Sequence, residues 1–110
     1  MNLEIDVVEE NSKSKLNVSG EIDAYTAPKL KEALLPLTKV SGNTVEVNLD
    51  EVGYMDSTGL GVFISALKST KEFDSHLVLV NLQERVLRLF KITGLDEIMD
   101  INSGIRGGQK

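Results

Sequence analysis

The sequence contains no cysteine and no tryptophan, a single histidine, and only 5% aromatic residues. Without cysteine there can be no disulfide, no thiolate metal site and no thiol nucleophile. With so few aromatics the core must be aliphatic, built from Val, Leu and Ile. One histidine, His76, and scattered carboxylates give no metal-ligand spacing, so neither a metal nor a cofactor is expected. Cations are also in short supply: 12 Lys+Arg stand against 17 Asp+Glu, a net charge of −5. That balance argues against nucleic acid, where a basic surface supplies most of the affinity, and against an anionic membrane surface. A protein partner or a small ligand fits better. No apolar run approaches the roughly 20 residues needed to span a bilayer. The N-terminus, MNLEIDVVEEN, lacks the basic region and apolar run of a secretory leader. The expected location is the cytoplasm.

What is present suits one domain. The chain has 110 residues, 41% of them hydrophobic, enough for a core at this size. Leu3, Ile5 and Val7 alternate as a half-buried strand, and Leu16 and Val18 do so again after a polar turn, which predicts a hairpin. Gly20 marks a bulge or the end of the second strand. Ala27, Leu30, Leu34 and Leu37 then fall at helical spacing, with Thr26 as N-cap, Pro28 in the first turn and Pro36 ending or kinking the helix. Val45, Val47 and Leu49 predict another strand. Leu60, Phe63, Ile64 and Leu67 follow i, i+3, i+4, i+7, an amphipathic helix. HLVLVN reads as a central strand covered on both sides, or at least well inside the sheet. Leu82, Val86, Leu89 and Phe90 predict a third helix, with Asn81 as cap, Glu84 in capping-box position and Gly94 as the C-terminal glycine. DEIMDI adds a short final helix or strand, and the tail NSGIRGGQK reads as disordered. The order β-β-α-β-α-β-α contains two strand–helix–strand crossovers, hence a mixed sheet.

Two stretches carry candidate chemistry. In YMDSTGLG, Tyr54 to Gly61, the pattern reads as a helix start. Asp56, Ser57 or Thr58 could each cap it. Capping leaves Gly59 and Gly61 unexplained, since each costs about 0.8–1 kcal/mol relative to Ala inside a helix. Their missing β-carbons would leave the helix start open to close approach, and an exposed hydroxyl there suits a kinase. The stretch has neither the dinucleotide fingerprint nor the Walker lysine. A serine hydrolase would need a base for Ser57, and His76 at a strand start is a surface residue by default. In SGEIDAYTAP, Asp23 follows a strand end and precedes a helix. It favours the helix dipole in either case, and it could also lie beside Ser57 if the two strand ends share one edge of the sheet. Arg85, Arg88 and Lys91 recur at helical spacing. They read as a solvated face, with a docking face for an acidic partner as the alternative.

SGEIDAYTAPKLKEAL, VNLDEVGYMDSTGLGVFISALK and LVLVNLQERVLRLFKITGLDEIMDI together resemble the bacterial anti-sigma factor antagonists of the STAS-domain family, in the family's order and spacing. MDSTGLG and ITGL are the most distinctive pieces, and the branch is that of the general-stress sigma factor of Gram-positive bacteria. The resemblance implies a single α/β STAS domain over residues 1–102, with a mixed sheet of four or five strands, helices mainly on one face, and a disordered tail over 103–110. It implies no enzymatic activity. The partner would be a serine kinase that doubles as the anti-sigma factor. The unphosphorylated chain would bind it and release the sigma factor, phosphorylation of Ser57 would switch binding off, and a metal-dependent serine phosphatase would reverse the mark. The partner-binding residues carried over are Asp23, Asp56, Ser57, Thr58, Gly59 and Gly61, with Thr58 a possible second acceptor. The alternative is a STAS-like module that binds a nucleotide or another small ligand.

Overall fold

A computed structural model describes residues 2–102. Its elements are β1 (Leu3–Glu10), β2 (Lys13–Ile22), α1 (Ala27–Thr38), β3 (Thr44–Met55), α2 (Ser57–Phe73), β4 (His76–Val80), α3 (Glu84–Ile92), a 3₁₀ turn (Leu95–Glu97) and β5 (Asp100–Asn102). The expected tail, 103–110, lies outside the described residues. The five strands form one sheet in sequence order, β1-β2-β3-β4-β5. β1 and β2 are the antiparallel hairpin, and every later neighbour pairs parallel.

That order explains why one face is covered. Strand–helix–strand crossovers are right-handed almost without exception. Here each crossover steps the sheet in the same direction, so all three helices return over the same side. The core lies there as one cluster. Leu16 and Val18 of β2, Val45, Val47, Leu49 and Val52 of β3, and Leu77 and Leu79 of β4 meet Leu30 and Leu34 of α1, Phe63 of α2 and Phe90 of α3. The two phenylalanine rings pack tilted, 6.0 Å between centroids, in the range that aromatic pairs prefer. The opposite face carries no helix among the described residues, which corrects the reading of HLVLVN as covered on both sides; Val78 and Val80 are half-buried there among polar side chains. Asn17, Asn48 and Asn81 join across it, Asn48 Nδ2 donating to Asn17 Oδ1 at 3.1 Å and Asn81 Nδ2 to Asn48 Oδ1 at 3.2 Å.

Several local expectations are corrected. Tyr54 and Met55 belong to β3, which runs past the alternating core segment, so α2 begins only at Ser57. Of the two readings of Gly20, the bulge holds: β2 passes through it with φ 123°, and the β2–β3 register shifts on either side, each with one extra residue on β3. Pro36 stands in the last turn of α1, which ends two residues on, at Thr38, as expected. α3 lacks the expected capping box. Asn81 adopts φ 60° and spends its amide on Asn48, while Gln83 takes the cap position and donates to the Asp50 carbonyl at 2.9 Å. Gly94, with φ 78°, ends α3 as expected. DEIMDI supplies both short alternatives, the 3₁₀ turn and β5.

Phe63→Ala should therefore cost about 3–5 kcal/mol, the usual range for emptying a fully buried aromatic site. Urea unfolding would measure this, and a loss below about 1 kcal/mol would mean the core had collapsed around the gap.

Candidate functional site

The site is built where two parallel strands end together. Ile22 is the register partner of Met55, and Glu21 of Tyr54. The Asp56 N–H donates to the Ile22 carbonyl at 3.3 Å. The next residues on each strand, Asp23 and Asp56, thus open neighbouring loops, and the two sequence motifs meet at one edge of the sheet.

Asp56 resolves the capping question. It has an extended backbone, and its Oδ1 accepts from the N–H of Thr58 at 2.9 Å and of Gly59 at 3.4 Å. This is an N-cap, which satisfies donors that the helix itself cannot. Ser57 is consequently released from capping. It is the first residue of α2, it is exposed, and its hydroxyl has no hydrogen-bond partner among the described residues. Thr58 is exposed beside it, its N–H taken by the cap.

The two glycines differ. A β-carbon on Gly59 would lie 2.7 Å from both Ile22 Cγ2 and Met55 Cγ. Gly59 is buried and serves the close seating of α2 on the paired strand ends; the expectation that it holds the helix open to a partner is overturned. Gly61 does face open space, with nothing within 4 Å of a built β-carbon. It lines a groove of about 300 Å³ between the first turns of α1 and α2, with Ala27, Pro28, Lys31, Thr58 and Ser65.

Asp23 organises the facing loop. Its Oδ1 accepts from the N–H of Tyr25 at 2.9 Å and of Thr26 at 3.0 Å. Thr26 occupies the cap position without a side-chain cap. Its hydroxyl instead accepts from the Asp23 N–H at 2.9 Å and donates to the Glu21 carbonyl at 2.8 Å. The Thr26 N–H, more than the other bonds, holds the Asp23 carboxyl below its ordinary value of 3.8. Oδ2 makes no hydrogen bond among the described residues, which leaves one charged oxygen available at the surface.

Sequence reasoning passed over two residues. The chain has only two tyrosines, one in each motif. Tyr25 is 88% and Tyr54 48% exposed, so both aromatic rings flank the strand ends in solvent. Their signal was compositional: in a chain so poor in aromatics, both tyrosines fall beside candidate residues. His76 is remote. It pairs with Thr44 at the start of β3, whereas Ser57 follows the end of that strand. It lies 2.9 Å from Asp100 and cannot serve Ser57 as a base. Among the described residues no three metal-ligating side chains cluster, and no helix is long and apolar enough to cross a membrane.

Gly59→Ala should destabilise the fold by about 1–3 kcal/mol, as overpacking does. Gly61→Ala should leave it unchanged or more stable, by up to about 1 kcal/mol from helix propensity. Equal urea midpoints for the two variants would contradict the packing role of Gly59. For Asp23 the sign follows from its lowered carboxyl. It stabilises the fold at pH above its ordinary 3.8, and the contribution disappears as pH falls through the lower folded value. Thermal midpoints should show wild type above Asp23→Asn at about pH 7, with the gap narrowing as pH falls below 3.8; a gap that widens in acid would reverse the assignment.

Comparison with known proteins places this geometry. The STAS domain model matches residues 4–106. The anti-sigma-B factor antagonist of Bacillus subtilis (strain 168) is 46% identical over 108 residues, covering 98% of each chain. That of Listeria monocytogenes serovar 1/2a is 49% identical over 104 residues, covering 94% of this chain and 91% of its own. The crystal structure of an anti-sigma factor antagonist from Mycobacterium paratuberculosis superposes with a TM-score of 0.75 at 27% identity, covering 92% of this chain and 86% of that one. A five-stranded mixed sheet covered on one face, two motifs meeting at its edge, and relatives matched along nearly their whole length lead to one conclusion: the chain belongs to the STAS-domain family, in company with the anti-sigma-B factor antagonists.

Proposed function

We propose that this chain is an anti-sigma factor antagonist switched off by phosphorylation of Ser57. The unmodified form binds an anti-sigma factor that is also a serine kinase, in the cytoplasm, and so frees a sigma factor for stress-response transcription. The kinase modifies Ser57, and a metal-dependent serine phosphatase removes the mark. The observation that carries this reading is the free Ser57 hydroxyl. Asp56 satisfies the N–H groups of the first turn, so the serine next to it has no structural duty and stands exposed at the head of a 17-residue helix. The proposed role is regulation; His76, the histidine that a serine hydrolase would need, sits at the opposite end of β3 from Ser57.

The switch follows from electrostatics. A phosphate adds about −1.5 to −2 charges. The positive end of α2 tolerates that charge, so the fold survives modification. The cost falls on the interface. Asp23 and Asp56 already make this edge negative, and the partner that seats against a bare hydroxyl must then bury an unmatched dianion. A thousandfold loss of affinity needs only about 4 kcal/mol, and an uncompensated buried charge commonly costs 3–5 kcal/mol. Gly61 and the groove beside Thr58 supply the open surface on which the partner docks.

Incubation with the anti-sigma factor kinase and ATP should add one phosphoryl group, mapped by mass spectrometry to Ser57. Ser57→Ala should remain unmodified and still bind the kinase in a titration. Ser57→Asp should bind at least tenfold more weakly, a difference of about 1.4 kcal/mol. Phosphorylation retained in Ser57→Ala would move the acceptor to Thr58 or elsewhere, and wild-type affinity in Ser57→Asp would remove the charge mechanism.

A further inference from the structure

We infer that the partner interface extends from Ser57 along the second half of β3 onto α3, where Arg85 and Arg88 receive an acidic face of the same anti-sigma factor. This rests on the function proposed above and adds a second, oppositely charged half to its site.

The topology makes the surface continuous. β4 pairs only with Thr44–Asn48 of β3. Beyond Asn48, β3 runs on to Met55 without a β4 partner, and the start of α3 lies against that stretch instead. The Gln83 amide donates to the Asp50 carbonyl at 2.9 Å, and Gln83 Oε1 comes within 3.9 Å of a β-carbon built on Gly53. Exposed Tyr54 follows Gly53, and Ser57 follows the end of the strand. Both α2 and α3 leave the C-terminal ends of neighbouring parallel strands, so their N-termini share one edge of the molecule. Gln83 in turn shares a shallow groove with Glu84, Arg85 and Arg88.

The charge of this stretch is unlike the rest of the chain. The buried stripe of α3 is Val86 and Phe90, which leaves Arg85, Arg88 and Lys91 exposed. Arg88 has one loose neighbour, Glu84 at 3.8 Å, both side chains mostly in solvent; such a pair contributes little. Arg85 and Lys91 have no ion-pair partner among the described residues. In a chain of net charge −5, a net cationic face, Arg85, Arg88 and Lys91 against Glu84, stands beside an edge made negative by Asp23, Asp56, Glu21 and Glu51. A surface with separated signs fixes the orientation of a partner that carries the complementary pair, and steers its approach. The occupant is therefore one protein presenting cations opposite Asp23 and Asp56 and carboxylates opposite α3.

Association of the full-length chain with the anti-sigma factor kinase, followed by surface plasmon resonance at low and high salt, tests this. Arg85→Glu/Arg88→Glu should slow kon by about tenfold at low salt, with the deficit shrinking as salt rises. Arg85→Gln/Arg88→Gln should show a smaller loss of the same kind and guards against misfolding. Lys68→Glu/Lys71→Glu makes the same charge change at the far end of α2, and should slow association much less. Equal losses in the two reversal variants would reduce the effect to net charge and overturn the inference. So would unchanged kon in both α3 variants when the wild type binds. A wild-type chain that fails to bind the kinase at all would instead overturn the function on which the inference rests.

Discussion

The parallel pairing of Ile22 with Met55 sets the geometry of everything around the serine. It brings two loops of distant sequence to a common edge and puts Asp23 next to Asp56. It also creates the surface on which α2 sits, close enough that only glycine fits at position 59. From there the consequences are local. α2 must begin at Ser57, its open donors turn to Asp56, and the serine hydroxyl has no internal partner. The two register shifts in the β2–β3 pairing belong to the same device: each adds one residue on the β3 side, and together they set Met55 opposite Ile22.

A helix that starts this way separates two demands that phosphorylation would otherwise bring into conflict. Under the proposed phosphorylation of Ser57, the fold would have to accept a dianion and the interface to reject it. Capping by Asp56 rather than by Ser57 means that modification removes no hydrogen bond from the helix, and the helix dipole favours the added charge. Nothing comparable helps a partner seated over the same atom. On this account the switch acts through the interface, and the folded chain remains much the same in both states.

Much of the architecture was legible because it rests on short-range pattern. Period-two alternation in Val45, Val47 and Leu49, and the i, i+3, i+4, i+7 run of Leu60, Phe63, Ile64 and Leu67, report which side of each element faces the core. The adjacency of Asp23 and Ser57 could be conceived from the order of strands and helices, but their register could not. Local signals failed where a side chain had a distant competitor. Asn81 and Glu84 have the spacing of a capping box, yet Asn81 bonds Asn48 across the sheet and Gln83 reaches Asp50. The reach of β3 through Tyr54 and Met55 was hidden in the same way, since its pairing partners lie in β2.

The sequence by itself determined the class of fold, an aliphatic core, the acidic character and the motif that carries Ser57. All of these depend on residue type and on spacing within one element. Tertiary structure decided what the motif's residues do. Gly59 and Gly61 are two positions apart and chemically identical, yet one is pressed against Ile22 and Met55 and the other faces a groove. Capping belongs to Asp56 and exposure to Ser57 for the same reason: a helix start is positioned by the surface beneath it, and that surface is assembled from strands far apart along the chain.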